Sequence, residues 1–200
     1  MEPGRRPVMS NPALDQTGGD DAWRYDATAS SYDELYRVEQ YSKYGVLVAL
    51  LTRYMDSATL LDAGCGTGLL VEYLAERGLD RYARYICLDP SVGMISRLSE
   101  KPVDYRVIPV VGYAEEIPLR DSSIDIVVSV TAWSNIGGKR EATREFKRVT
   151  GRGGLIIVSS HVKHHSTPPA LFDACFKKIA EHIDEFYVCV KNSATQPETF

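Results

Sequence analysis

The chain has 200 residues, 44% of them hydrophobic and 25% charged, and a formal net charge of −4. That length suits one domain with a real core, and the mild acidity excludes a global pull toward nucleic acid or anionic membrane. No apolar run approaches the ~18 residues that a membrane-spanning helix needs. The basic residues near the N-terminus have no apolar stretch behind them and do not read as a secretory signal.

In chain order, residues 1–22 are rich in Pro, Gly, Asp and Asn with little to bury, which predicts a disordered tail and leaves 23–200 as a single domain. An aromatic-bearing stretch over 23–36 follows, carrying Trp23, Tyr25, Tyr32 and Tyr36. Helical spacing of Val46, Leu47, Leu50, Leu51 and Tyr54 predicts a helix over 41–55. Strand 1 is expected at 59–63, its helix at 69–77 ended by Gly78, strand 2 at 84–88 and a short helix at 91–98. Strand 3 is expected at 105–110 and strand 4 at 124–130, the latter a β-branched run of the kind buried on both faces of a parallel sheet. A helix at 139–149, strand 5 at 155–160, a helix at 168–178 and a last strand at 186–191 complete the pattern. Residues 179–184 fit either a short strand or a helix end. Strands alternating with helices at this rhythm make an α/β fold, with ligands expected beyond the carboxyl ends of the strands.

The four cysteines, Cys65, Cys87, Cys175 and Cys189, are scattered without a C-x-x-C pair. This implies neither a zinc site nor a disulfide framework, and favours a reducing, cytoplasmic setting. His161, His164 and His165 lack an acid at ligand spacing, so no metal is expected.

The segment from Thr59 to Leu70 ends an apolar run in Asp62, passes Gly64, Gly66 and Gly68, and enters a helix. Glycine permits φ > 0 and close backbone approach, and the helix start turns unpaired N–H groups toward the same spot. G-x-G-x-G is not the G-x-G-x-x-G of dinucleotide sites, and no Lys-Ser/Thr pair follows as in a P-loop. The pattern D-x-G-x-G-x-G resembles motif I of the class I S-adenosylmethionine-dependent methyltransferases. Asp89, 21 residues after Gly68, matches the acid of their motif II, and residues 112–128 look like their G-D-A-E-x-L-P-F-x-D-x-S-F-D-x-V box. The similarity covers about residues 25–191.

That resemblance implies a Rossmann-like, mostly parallel sheet of the seven-stranded type with helices on both faces and the last strand antiparallel. It implies S-adenosylmethionine as cofactor, with Asp62, Gly64, Cys65, Gly66 and Gly68 around its methionine end, and Asp89 and Pro90 at the ribose. Asp89 could equally serve as a helix cap, a job Ser91 could take instead. Tyr113 stands where the family has the Asp that binds adenine; it could stack on the ring, offer its hydroxyl or merely fill space, and Ala114 and Glu115 are its neighbours in that role. Tyr25 and Tyr32 either line the pocket or staple the N-terminal helix. Trp133 and Asn135 after strand 4, and His161 after strand 5, either meet the methyl acceptor or belong to the sheet cover and a solvated loop.

The expected chemistry is in-line attack of an acceptor on the sulfonium methyl, which needs alignment more than a catalytic motif, so no catalytic residue is assigned. The acceptor is open. A small molecule is favoured; RNA would use the basic helix and its exit, with Lys139, Arg140, Arg144, Lys147, Arg148 and Arg152. A non-catalytic, partner-binding protein on the same fold is the third possibility.

Overall fold

The computed structural model describes residue 29, residues 31–164 and residues 166–192. The expected tail at 1–22, and Tyr25 with it, lies outside the described residues. In chain order the elements are α1 (Tyr32–Leu51), β1 (Thr59–Ala63), α2 (Leu69–Glu76), β2 (Arg84–Asp89), α3 (Val92–Glu100) and β3 (Val107–Val111). They continue with β4 (Ile124–Ser129), α4 (Lys139–Val149), β5 (Thr150–His161), β6 (Lys177–Glu181) and β7 (Asp184–Val190), with short 3-10 turns at Ala132–Asn135, Val162–His164 and Pro169–Leu171.

The strands form one seven-stranded sheet in the order β3-β2-β1-β4-β5-β7-β6. Pairings from β3 to β5 are parallel, and β7 runs antiparallel to both β5 and β6. The last strand is therefore the reversed one, as the family resemblance implied. Strand order reverses between β1 and β4, the point where a doubly wound sheet opens a crevice at its carboxyl edge.

Alternation along each strand divides the core. Leu60, Ile126, Val128 and Ile157 face one side, against Leu47 and Leu51 of α1, Leu70 and Leu74 of α2, and Ile95 and Leu98 of α3. Leu61, Val127, Ile156 and Val158 face the other, against Ala142, Phe146 and Val149 of α4 and against Trp133. Apolar side chains on both faces are why β1, β4 and β5 read as continuous hydrophobic runs.

Several expectations need correction. The first helix begins at Tyr32 rather than 41, because its polar first half is held by charges: Arg37 reaches Glu72 at 2.6 Å and Asp33 accepts a hydrogen bond from the Thr67 hydroxyl. Strand 5 begins at Thr150 rather than 155, since Ile124 pairs with Thr150 but Ile126 already pairs with Leu155, so the glycines between them form a bulge. The helix expected at 168–178 is absent. Pro169–Leu171 make one 3-10 turn, and the Asp173 carboxylate then accepts from the Cys175 amide at 2.8 Å and from Lys147 Nζ at 2.5 Å. That closes the turn, and the chain continues into β6 instead.

The cysteine expectation is also overturned. All four are joined, Cys65 to Cys87 and Cys175 to Cys189, with Cα separations of 5.4 Å and 5.1 Å. The partners lie 22 and 14 residues apart, so adjacency arises from strand pairing that the spacing does not display. With both pairs closed, the argument from cysteine usage to a reducing setting no longer holds.

Phe146 is fully buried between α4 and the sheet. Phe146→Ala should cost about 3–5 kcal/mol, read as a shift in the urea midpoint at unchanged slope.

Candidate functional site

β1 ends in a turn whose three glycines all have positive φ: 83° at Gly64, 57° at Gly66 and 78° at Gly68. Each meets a different neighbour. A Cβ on Gly64 would lie 2.3 Å from the Cβ of Ala132, on the segment leaving β4. One on Gly68 would lie 2.4 Å from Leu98 Cδ1 of α3. One on Gly66 would meet nothing closer than Tyr32 Cε1 at 3.9 Å. Packing therefore demands glycine at 64 and 68, whereas at 66 the missing side chain opens a space beneath Tyr32.

The turn is tied to β2. The amides of Gly64 and Cys65 donate to the Leu88 carbonyl at 2.7 and 3.2 Å. The Gly66 amide donates to Asp89 Oδ2 at 2.9 Å, and the Ser91 amide donates to Asp89 Oδ1 at 2.9 Å. Ser91 itself caps α3, its hydroxyl accepting from the Met94 amide at 3.0 Å. Asp89 thus leaves capping to Ser91 and instead holds the glycine turn. A carboxylate oxygen can accept more than one hydrogen bond, so this duty is compatible with a sugar hydroxyl. Pro90 follows it, partly exposed.

Asp62 lies under the turn, 3% exposed, and accepts a 2.6 Å hydrogen bond from the Tyr85 hydroxyl. Burial pushes its carboxyl up to about 7; the Tyr85 hydrogen bond opposes that rise and repulsion from Asp89 adds to it. Tyr32 stacks near Tyr36, ring centres 4.8 Å apart, and so places an aromatic wall from α1 over Gly66. Tyr113 is 54% exposed beyond β3, beside the nearly buried Ala114. Glu115 is already engaged, accepting from the Gly138 amide at 3.0 Å ahead of α4. An open depression of about 560 Å³ borders Tyr113, Glu115, Glu116 and Arg148 but touches none of Asp62, Gly66 or Asp89.

Across the crevice, the exits of β4 and β5 are organised by a buried ionic network that the sequence reading missed. Lys43 of α1 is fully buried; its Nζ lies 3.1 Å from Asp184 Oδ1, 2.7 Å from Glu39 Oε1 and 3.1 Å from Thr131 Oγ1. The Thr131 hydroxyl donates to Asp184 Oδ2 at 2.9 Å, as does the Ser159 hydroxyl at 2.6 Å, and the Thr131 amide donates to Ser159 Oγ at 2.9 Å. Thr131 has φ 62°, costly for a β-branched residue. These bonds hold it there, and through it Ala132 against Gly64. His161 Nε2 stands 4.0 Å from Glu39 Oε1, while its Nδ1 accepts from the Lys163 amide at 3.1 Å. The hydrogen bond from Lys43 holds the Glu39 carboxyl below its usual range.

Of the residues expected at the acceptor, Asn135 is exposed and His161 lies at the β5 exit. Trp133 is fully buried, its Nε1 donating to the Thr167 carbonyl at 2.7 Å and its ring edge-on to Phe172. It belongs to the sheet cover and not to the crevice. The faint signal for the missed network was polar: Thr131 follows the apolar run of β4, and Ser159 follows that of β5.

A family model described as a methyltransferase domain matches residues 61–158. The chain is 33% identical to malonyl-[acyl-carrier protein] O-methyltransferase of Yersinia pestis over 68% of this chain and 48% of that protein. It is 30% identical to demethylmenaquinone methyltransferase of Mycobacterium bovis over 85% of this chain and 69% of that protein. The chain thus spans from 37% to 69% of the length of curated relatives it matches. Among solved structures, a Haloferax volcanii methyltransferase in complex with the Trm112 activator superposes with a TM-score of 0.71 at 17% identity, covering 84% of this chain and 98% of that one. At that identity the likeness concerns the fold.

Two measurements probe the site. Because the Asp62 carboxyl sits at about 7 against an ordinary 3.8, the folded state keeps a proton that the unfolded chain has released. That contribution is full at acid pH and is lost as pH rises through the folded value. Asp62→Asn should gain stability over wild type between about pH 4 and pH 7 and keep that gain above it; urea titrations that stay parallel across that range would refute it. Lys43→Met leaves Asp184 buried without its cation, and a loss of about 3–5 kcal/mol is expected, largely recovered in Lys43→Met/Asp184→Leu.

Proposed function

The chain belongs to the class I S-adenosylmethionine-dependent methyltransferases, and from that premise we propose that it methylates a small molecule held at the crevice beside Gly66. The observation that carries this is the space above Gly66, bounded by Tyr32 and by an amide already oriented by Asp89. The residues fit the cofactor. The left-handed turn admits a close-lying chain, Asp89 offers a carboxylate at the ribose position, and Asp62 places a buried carboxyl under the methionine end. Bound S-adenosylmethionine supplies a methyl group already activated by its sulfonium. The protein's task is to hold, align and dry the site.

On this reading Tyr32 and Tyr36 wall the sulfonium side, where an aromatic face favours a cation. Tyr113 and Ala114 flank the adenine side, and Asn135 and His161 meet the acceptor.

A small acceptor is favoured over RNA because three of the six basic residues of the helix and its exit are engaged with the fold, while Arg140, Arg144 and Arg152 are exposed. Arg148 binds Glu145, Asp121 and the carbonyls of Ile117 and Leu119, Lys147 binds Asp173, and Lys139 donates to the Ile136 carbonyl. The relatives named for malonyl-[acyl-carrier protein] and demethylmenaquinone support the same preference.

Calorimetry with S-adenosylhomocysteine tests the reading. Micromolar binding is expected for the wild type. Gly66→Asn, whose side chain tolerates positive φ but fills the space, should abolish binding without lowering the melting temperature by more than a few degrees. No heat of binding for the wild type would overturn the proposal.

A further inference from the structure

The Cys65–Cys87 pair crosses the cofactor turn. Cys65 lies between Gly64 and Gly66, and Cys87 sits on β2 two residues before Asp89. The bond therefore closes the same short span that the Gly64, Cys65 and Gly66 amides close through Leu88 and Asp89. We propose that this pair is a thiol–disulfide exchange site, and that its oxidised form is the one that binds the cofactor; the inference rests on the methyltransferase reading above.

The packing says where the two states must differ. Cys87 is fully buried in a strand paired on both sides, opposite Asp62 of β1 and Pro109 of β3. It has no room to retreat. Two thiols in van der Waals contact need more space than two bonded sulfurs, and a close-packed interior does not supply it. On reduction the displacement falls on Cys65, the member in a turn, between two residues of left-handed backbone. Moving Cys65 shifts the amides of Gly64 and Gly66 from Leu88 and Asp89 and opens the cradle.

Chemistry and exposure assign the order of events. Cys65 is 8% exposed and Cys87 is not exposed, so a dithiol reductant attacks the Cys65 sulfur. A mixed disulfide forms there and Cys87 leaves as a thiolate that takes up a proton. The second thiolate of the reductant then attacks its own sulfur in the mixed disulfide and releases Cys65, which is also protonated. Two electrons and two protons pass to the pair and the reductant closes to its cyclic disulfide. Burial of both sulfurs restricts the reductant's access, which makes the exchange slow. A cofactor lying on the turn would cover Cys65 as well.

The two equilibria are linked. If oxidised protein binds more tightly by some factor, bound cofactor resists reduction by the same factor. A cradle formed about a tenth of the time after reduction predicts binding about tenfold weaker. The matching change in potential is about 30 mV more negative with the site saturated. The second pair, Cys175–Cys189, is an internal control, since β1, β4 and β5 separate β2 from β7.

The test equilibrates full-length protein with dithiothreitol at graded ratios of reduced to oxidised form. Each sample is alkylated and peptide-mapped to locate the bonded pairs, and S-adenosylhomocysteine affinity is measured by calorimetry. Binding about tenfold tighter when Cys65–Cys87 is closed is expected, with the response kept in Cys175→Ala/Cys189→Ala and lost in Cys65→Ala/Cys87→Ala, whose affinity no longer depends on the dithiothreitol ratio. If the second double variant does not fold, the shift of the wild-type reduction midpoint by saturating S-adenosylhomocysteine decides the matter. Equal affinity in both states, an unmoved midpoint, or failure of Cys65 and Cys87 to pair at any ratio overturns the coupling alone. Absence of binding in every state overturns the methyltransferase reading and the coupling with it.

Discussion

The left-handed backbone between β1 and α2 is the constraint around which the crevice is arranged. Three positive-φ residues at alternate positions turn the chain out of the sheet edge within five residues, and each brings in a different element. Gly64 admits the exit of β4, Gly68 admits α3, and Gly66 leaves room under α1. A side chain at 64 or 68 would push a wall away, whereas one at 66 would fill what the walls enclose. The three glycines therefore answer three separate requirements that the motif presents as one. The Asp89 carboxylate then ties the middle of the turn to the start of α3 through the Gly66 and Ser91 amides.

Charge is buried on both sides of this turn, and it is managed differently on each. Among the described residues Asp62 has a hydrogen bond from Tyr85 and no cation beside it, so burial dominates and raises its carboxyl toward neutrality. Across the crevice, Lys43 and Asp184 are both fully buried but paired, with Glu39, Thr131 and Ser159 completing the shell. Buried ion pairs seldom add net stability over apolar substitutes. What this one secures is position: it keeps Thr131 in a costly conformation and Ala132 against the glycine turn. The raised Asp62 carboxyl and the strained Thr131 both lie at the crevice where the proposed function places the ligands.

Elements whose signal is local were legible in the sequence, and those made by distant pairing were not. β1 and α4 fall at their expected boundaries because an apolar run or an amphipathic period suffices to define them. Residues 168–178 carry a helical pattern, yet Asp173 closes a turn with Lys147 of α4 and Cys175 joins Cys189 of β7, so tertiary partners override the pattern. The early start of α1 was hidden for the same reason. Its first half is polar, and its partners Glu72 and Thr67 lie more than thirty residues away. Trp133, whose residue type suits a ligand wall as well as a core, needed the fold to place it in the core.

The same division separates the two walls of the crevice, one of which carries a sequence motif while the other does not. The cradle is assembled from two nearby segments, 62–68 and 87–91, joined by backbone amides, one carboxylate and one disulfide. Close-packed geometry of that kind leaves few residue types acceptable at each position, and so leaves a motif. The opposite wall draws on residues 39, 43, 131, 159, 161 and 184, joined largely through side chains. Many side-chain sets can brace a loop in that way, so no short pattern marks it. The two sides meet where Ala132 rests on Gly64 and where α1 reaches the turn, through Tyr32 over Gly66 and through Asp33 on the Thr67 hydroxyl. The two walls are thus held differently: the glycine turn by local backbone contacts, which the proposed function assigns to the cofactor, and the opposite wall by long-range contacts, which it assigns to the acceptor.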